Sequence, residues 1–127
     1  MTREEIEAME PGRELDRLIR IHIFGDIDES WVWKEWWGEH WITDNKEVAT
    51  WFELPKYSTD ISAAWEAWDI GREDEHLIVE CKDGEYCATI HRFKQGEESW
   101  DVDTWTYSAK TKEEAMMKCR LLAVLEG

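Results

Sequence analysis

Hydrophobic residues along this chain follow the three-to-four-residue spacing of an amphipathic helix in some segments and the two-residue spacing of a strand in others. Helical spacing predicts four helices: one near the N-terminus, one that ends near Gly25, one that begins after Tyr57 and one that begins after Thr111. Thr2 and Glu5 have the spacing of a capping box, which marks the start of the first helix. The last helix is apolar over more than half its surface, so we expect it to be deeply buried or to lie in a subunit interface.

Strand spacing predicts two groups of extended segments. Residues 26–56 alternate in a way that predicts a strand pair or a meander. Asp83-Gly84 is a hairpin-turn signal that sets Val79 opposite Ala88, and residues 100–109 read as a third strand of this second group. Because hairpins join antiparallel strands, we predict an α+β fold with a largely antiparallel sheet that helices cover on one or both faces. Residues 1–127 are predicted to form a single domain of this kind.

The charge of the chain limits its partners. Thirty acidic residues stand against fifteen basic ones, for a formal net charge of −15. Because proteins bind nucleic acid by neutralising its phosphates with Lys and Arg, we expect no binding to nucleic acid or to anionic membranes outside a local basic pocket. A small ligand in such a pocket, a basic protein surface and a DNA-binding protein that accepts an acidic mimic all remain possible partners.

Neither a membrane span nor a secretion signal is evident in the sequence. No apolar run approaches the roughly 20 residues of a transmembrane helix, and the first residues lack the basic-then-apolar layout of a signal peptide. We therefore expect a cytoplasmic protein whose three cysteines are reduced.

Tryptophan is the most unusual component of the composition. Ten are present, and five fall between positions 31 and 41. Alternation predicts that Trp31, Trp33 and Trp37 share one face, while Trp36 lies on the other beside Lys34. A flat ring beside a cation suits a nucleobase and its phosphate. Helical spacing predicts that Trp65 and Trp68 share the core face of the third helix. For each tryptophan singly a place in the core is favoured, but a chain of this length offers too few buried sites for all ten.

A second candidate site is the segment Tyr57-Ser58-Thr59-Asp60, which precedes the third helix. Free backbone N–H groups at a helix N-terminus can bind an anion, and the hydroxyl groups add donors. Simple capping by Ser58 or Thr59, with Tyr57 as a packing residue, is the favoured interpretation, because Asp60 would repel a bound phosphate.

Metal and catalytic motifs are poorly supported. Residues 26–30 begin like a calcium loop, but Trp31 and Trp37 stand where such a loop needs Gly and Glu. Nucleophile-elbow, phosphate-loop and Ser/His/Asp signatures are also missing from the sequence. We therefore expect a protein that is not an enzyme and has neither a metal nor a cofactor.

Three segments of the sequence resemble the phage ABA-sandwich domain family: the opening at residues 1–16, residues 54–65 and the ending at residues 119–126. The tryptophan-rich middle is also similar to this family. The resemblance implies a small bacteriophage or prophage protein with an α/β/α sandwich, and it implies no general function. Residues 85–91 and 97–103 depart from the family pattern.

These observations lead to a phage-encoded, non-enzymatic protein that binds a small nucleotide-like ligand and sequesters a host immune signal in the bacterial cytoplasm. The apolar last helix suggests a homo-oligomer. The alternative is an acidic protein-protein inhibitor or a DNA mimic that acts on a host defence protein. Aromatic residues would stack the base, and cations or the Ser58–Thr59 amides would hold phosphates. The predicted ligand-binding residues are Lys34, Trp36, Trp37, Trp41, Lys56, Tyr57, Ser58, Thr59 and Arg92.

Overall fold

A computed structural model describes residues 2–25, 31–34, 40–43, 51–52, 55–70, 74–95 and 100–126 of the chain. Four α-helices and six strands lie in these ranges, and a π-helical turn, Arg20–Phe24, follows the second helix directly. The helices are α1 (Arg3–Ala8), α2 (Arg13–Ile19), α3 (Ile61–Asp69) and α4 (Lys112–Glu126). The strands are β1 (Trp31–Lys34), β2 (His40–Thr43), β3 (Trp51–Phe52), β4 (Glu75–Lys82), β5 (Glu85–Gln95) and β6 (Trp100–Ala109).

The ends of the helices follow local capping rules. The Thr2 hydroxyl accepts a hydrogen bond from the Glu5 N–H at 3.2 Å, as the capping box predicts. Gly25 ends the π-helical turn in the left-handed region, with φ of +73°, which glycine adopts at little cost. The predicted capping residue of α3, Ser58 or Thr59, is wrong. The N-cap is Asp60, whose side chain accepts a hydrogen bond from the Ser62 N–H at 3.0 Å.

Strands β4, β5 and β6 form an antiparallel meander around the predicted hairpin. Val79 pairs with Ala88 as expected. Asp83 and Gly84 have φ of +53° and +81°, the two positive values that a two-residue turn between twisted strands requires. One face of this sheet carries the buried side chains of Ala88, Ile90 and Trp105, and α4 packs on β5 and β6. The strand prediction for this region is confirmed.

Strands β1, β2 and β3 form a second antiparallel sheet, in the order β1-β2-β3. The meander predicted between residues 26 and 56 is therefore confirmed for the strand segments that the structure describes. Their register places Trp33 opposite Trp41 and Trp41 opposite Phe52.

Helix α4 lies at the centre of the described structure. It contacts β5 and β6 as well as α1, α3 and the π-helical turn. Every residue from Ala115 to Ala123 is buried, so the first of the two predicted environments, deep burial, accounts for the apolar surface of this helix. The α+β fold with helices packed on an antiparallel sheet is confirmed. None of the described helices is both long and apolar enough to cross a membrane.

Helix α3 packs on α4 through small residues and one tryptophan. Ala63, Ala64 and Ala67 are buried, and Trp68 is 1% exposed. The prediction that Trp65 belongs to the same core face is wrong, because its side chain is 38% exposed. Its ring lies 4.9 Å from the Lys112 ammonium, so this tryptophan is covered on one side by the first residue of α4.

A buried ion cluster joins the meander to the helices. The side chain of Glu75, at the start of β4, is 1% exposed and contacts two guanidinium groups. Its Oε2 accepts from Arg92 Nη2 at 2.9 Å, and its Oε1 accepts from Arg120 Nη1 at 2.8 Å. Arg120 also donates to the Trp68 carbonyl at the end of α3, at 2.6 Å. One carboxylate thus links β4, β5, α4 and, through Arg120, α3.

Substituting Glu75→Gln should lower the free energy of unfolding by about 3–5 kcal/mol, because it leaves two buried guanidinium groups without a counter-charge. Glu80→Gln is the matched control, since Glu80 is an exposed residue of the same strand. Its effect should stay within about 0.5 kcal/mol. Urea denaturation measures both, and equal effects of the two substitutions would contradict a structural role for the cluster.

Candidate functional site

The register of the β1-β2-β3 sheet aligns three aromatic positions. Trp33, Trp41 and Phe52 are successive partners across the three strands, and Trp31 lies two positions before Trp33 on β1. Positions two apart on a strand belong to the same face of a sheet. We call these four positions, Trp31, Trp33, Trp41 and Phe52, the aromatic row. Planar ligands stack on aromatic side chains, so these positions are a candidate ligand site.

Lys34, which the sequence placed beside Trp36, belongs to the opposite face of this sheet from the aromatic row. Lys34 pairs with His40, the row next to that of Trp33 and Trp41. Because successive residues of a strand alternate between faces, positions 34 and 41 belong to opposite faces. Trp36 and Trp37, the two other predicted aromatic contacts, lie outside the described residues.

The Tyr57 segment is packed against α2 and the π-helical turn. The Tyr57 side chain is fully buried, and its ring stacks on that of Phe24 with centroids 5.2 Å apart. Its hydroxyl accepts a hydrogen bond from Arg20 Nη1 at 2.8 Å. The interpretation of Tyr57 as a packing residue therefore matches its environment, and a ligand contact for this ring stays a prediction.

Ser58 directs its donors to a carboxylate of the protein. Its backbone N–H and its hydroxyl both donate to Asp16 Oδ1, at 2.8 and 2.7 Å, and the Gly12 N–H donates to the Ser58 hydroxyl at 2.9 Å. Asp16 thus holds the position that the sequence suggested for an external anion. Lys56 and Thr59, on either side of the buried pair, are exposed to solvent. A ligand role for Lys56, Ser58 and Thr59 stays a prediction.

Arg92, the remaining predicted contact, is 5% exposed and belongs to the ion cluster. Besides its bonds to Glu75, its guanidinium lies over the Trp105 ring, 4.7 Å from the centroid. The structure brings Tyr57 and Ser58 together with Asp16, and it places Arg92 under α4. The guanidinium of Arg92 therefore makes its contacts inside the protein, and a contact between Arg92 and a ligand phosphate stays a prediction.

Sequence reasoning missed Asp16 and Phe52. Asp16 lies beside Leu15 on the buried side of α2 and is only 6% exposed. A carboxylate within an apolar helix face was a visible signal, because buried carboxylates need donors. Phe52 could not be found from spacing, since its partnership with Trp41 depends on the register of β3.

Nucleophiles and metal ligands form no evident centre in the described residues. Burial raises the pKa of the Cys119 thiol to about 12, which keeps it protonated and unreactive. No group of three His, Cys, Asp or Glu residues in the described ranges could hold a metal ion. A cavity of about 310 Å³ opens at the β4–β5 hairpin, lined by Lys82, Asp83, Glu85, Cys87 and Ser108.

The described residues thus form an α+β fold with a buried core around α4, and the aromatic row belongs to a separate three-stranded sheet. No protein-family model and no curated protein matches the chain. Among solved structures, the fold is similar to a phage protein from Bacillus cereus ATCC 14579, with a TM-score of 0.58 and 24% sequence identity. The match covers 92% of this chain and 94% of that chain. At this identity the likeness shows the fold alone; membership of the ABA-sandwich family stays a prediction.

The Asp16 carboxyl should titrate differently in the folded and unfolded chains. Burial raises its pKa above the ordinary value of 3.8, although the hydrogen bonds from Ser58 oppose the rise. Between 3.8 and the raised pKa the folded protein holds a proton that the unfolded chain has released, so this group's contribution to stability falls as the pH rises. The unfolding free energy of the wild type, relative to Asp16→Asn, should therefore decrease across this interval.

Urea denaturation at matched pH values measures this difference. Glu14→Gln, which changes an exposed carboxyl of the same helix, provides the baseline. The unfolding free energy of the wild type minus that of Asp16→Asn should fall as the pH rises. If this difference stays constant or grows, burial does not raise the pKa of Asp16.

Proposed function

We propose that this is a phage-encoded, non-enzymatic protein that binds a small ligand with a planar ring at the aromatic row. The ligand class is nucleotide-like, and the biological role is to sequester a host immune signal. The observation that carries the proposal is the register that aligns Trp33, Trp41 and Phe52 across β1, β2 and β3. The likeness of the fold to a phage protein supports a phage origin.

The dimensions of the row suit such a ligand. Neighbouring strands lie about 4.8 Å apart, so three successive partners span roughly 10 Å, enough for a nucleobase and the sugar attached to it. Stacking on aromatic side chains accepts any base, because every base has a π-face. A sheet surface of this kind provides a platform for a ring without the need for a deep cavity.

The packing of the described tryptophans leaves room for this role. Trp68 and Trp105 fill the core around α4, while Trp65 is largely exposed on α3. These two core tryptophans belong to α3 and β6. The tryptophans of β1 and β2 belong to a separate sheet, and the proposal assigns them to the ligand.

A second candidate, an acidic inhibitor of a host protein, is favoured by the burial of cations. Arg92, Lys118 and Arg120 are all buried, and Lys118 is held by the Glu7 carbonyl at 3.0 Å and the Tyr107 hydroxyl at 3.3 Å. Among the described carboxylates, those of Asp16 and Glu75 are also withdrawn from solvent. The burial of these three cations leaves fewer exposed positive charges to offset the net charge of −15.

Trp41→Ala should weaken ligand binding by about 10- to 100-fold, because the loss of one stacked ring costs about 1–3 kcal/mol. Trp65→Ala, the same substitution at an exposed position of α3, should leave binding unchanged. The measurement is a titration of intrinsic fluorescence with adenine and guanine mononucleotides, cyclic dinucleotides and NAD. Native mass spectrometry of the purified protein looks for a ligand that is already bound.

Equal binding by the two variants would move the site away from the aromatic row. If no member of the panel binds and nothing co-purifies, the ligand proposal fails. Capture of a host protein that is lost at high salt would then favour the acidic inhibitor, since contacts between exposed charges are screened by salt.

A further inference from the structure

Two histidines lie side by side on the face of the β4-β5-β6 sheet that is turned away from α4. His76 on β4 and His91 on β5 are cross-strand partners, and Thr104 on β6 is the next partner in the same row. Arg92, the neighbour of His91, is buried under α4, so alternation places His91 on the opposite side of the sheet. His76 is exposed and His91 is half-buried, and the pair is therefore open to an ion from solvent.

The two imidazole rings are close enough to share one metal ion. Their centroids lie 6.2 Å apart, with ring planes inclined by 38°. A metal ion bound to a ring nitrogen at about 2.1 Å lies about 3.2 Å from the ring centroid, so two coordinating rings have centroids at most about 6.4 Å apart. The separation is about 5.2 Å when the two nitrogens subtend a tetrahedral angle. A small rotation of the exposed His76 side chain covers this range, because exposed side chains reorient within nanoseconds.

A hydrogen bond holds the His91 ring in an orientation that suits a metal ligand. Its Nδ1 lies 2.9 Å from the Thr104 hydroxyl oxygen. When Nδ1–H donates to this oxygen, the ring has the tautomer whose Nε2 carries the free lone pair. Metal-binding histidines almost always donate their other ring N–H to an outer partner of this kind. Among the described residues, neither imidazole makes a further hydrogen bond, so the nitrogens that would bind the ion are not taken up by the protein.

The ligand atoms determine the class of ion. Imidazole nitrogen suits Ni²⁺, Cu²⁺ and Zn²⁺, whereas Mg²⁺ and Ca²⁺ prefer oxygen. The described residues contain no group of three His, Cys, Asp or Glu that could hold a metal ion. Two imidazoles are therefore the contribution of this face, and water fills the remaining coordination positions. The net charge of −15 favours the approach of a cation to the site.

We propose that His76 and His91 form an open binding site for a divalent late transition-metal ion, with Thr104 as the positioning residue of His91. Because two protein ligands hold the ion, binding is weaker than at a closed four-ligand zinc site, and the bound waters exchange. The proposal is independent of the ligand proposal, because it involves a different sheet.

Calorimetric titration of the chelator-treated protein with Zn²⁺ tests the site. The wild type should bind one ion, and Mg²⁺ should give no binding heat. His76→Ala and His91→Ala should each weaken binding by more than about tenfold, because removal of a ligand costs at least as much as the loss of an outer-shell partner. His22→Ala, which removes the half-buried histidine of the π-helical turn, is the matched control and should bind like the wild type.

A second control concerns sulfur, which also binds these ions. Cys81→Ser removes the exposed thiol of β4 and should leave the affinity for Zn²⁺ unchanged. Circular dichroism verifies that each variant is folded.

The role of Thr104 has its own readout. Thr104→Val should weaken binding by about tenfold, whereas Thr104→Ser keeps the hydroxyl and should retain the affinity of the wild type. Electron paramagnetic resonance of the Cu²⁺ complex counts the coordinating imidazoles. The spectrum should show nitrogen couplings from two rings in the wild type and from one ring in His76→Ala.

Several results would overturn the proposal. One is an absence of Zn²⁺ binding up to a concentration of about 1 mM, which corresponds to about −4 kcal/mol. Another is binding that persists unchanged in His76→Ala and His91→Ala, or that falls equally in His22→Ala or Cys81→Ser, since the ion would then lie elsewhere. A Cu²⁺ spectrum with a single imidazole in the wild type would also contradict the shared site.

Discussion

The buried Glu75 carboxylate is the constraint on which the rest of the structure depends. It lies between the guanidinium groups of Arg92 and Arg120, both almost fully removed from water. A buried charge is tolerated only with its counter-charges in place. Arg92 on β5 and Arg120 on α4 must therefore both reach the carboxylate, which restricts the β4–β5 register and the position of α4. Arg120 also restricts the position of α3, because its guanidinium donates to the Trp68 carbonyl. The apolar contacts of α4 supply most of the driving force, while the cluster selects one arrangement of sheet and helices.

This arrangement also determines what the surface can do. Cations that could have held a phosphate are taken into the core, where Arg92 lies over Trp105 and Lys118 contacts Tyr107. The donors of Ser58 are taken up by Asp16. The proposed ligand contact is therefore made mainly through rings, at the aromatic row of the β1-β2-β3 sheet.

Local patterns were enough to predict much of the fold. The Asp83-Gly84 turn determined the pairing of β4 with β5, and the caps at Thr2 and Thr111 located the starts of α1 and α4. Contacts between distant residues were beyond such patterns. Glu75 and Arg120 are 45 positions apart and meet only because α4 crosses the sheet. The candidate site divides in the same way: alternation placed Trp31 and Trp33 together, but their neighbours on β2 and β3 depend on a register that no spacing reveals.

The most direct test of the proposed function is the solvent accessibility of the tryptophans in the aromatic row. In protein labelled with 5-fluorotryptophan, the fluorine resonances shift between H₂O and D₂O in proportion to exposure, and single Trp→Phe substitutions assign them. Trp65 and Trp68, at 38% and 1% exposure, are the internal references for open and buried rings. The proposal predicts that Trp33 and Trp41 shift like Trp65 in the free protein and lose that shift when ligand binds. Resonances that behave like that of Trp68 in the free protein would show that the row is core, and would contradict the proposal.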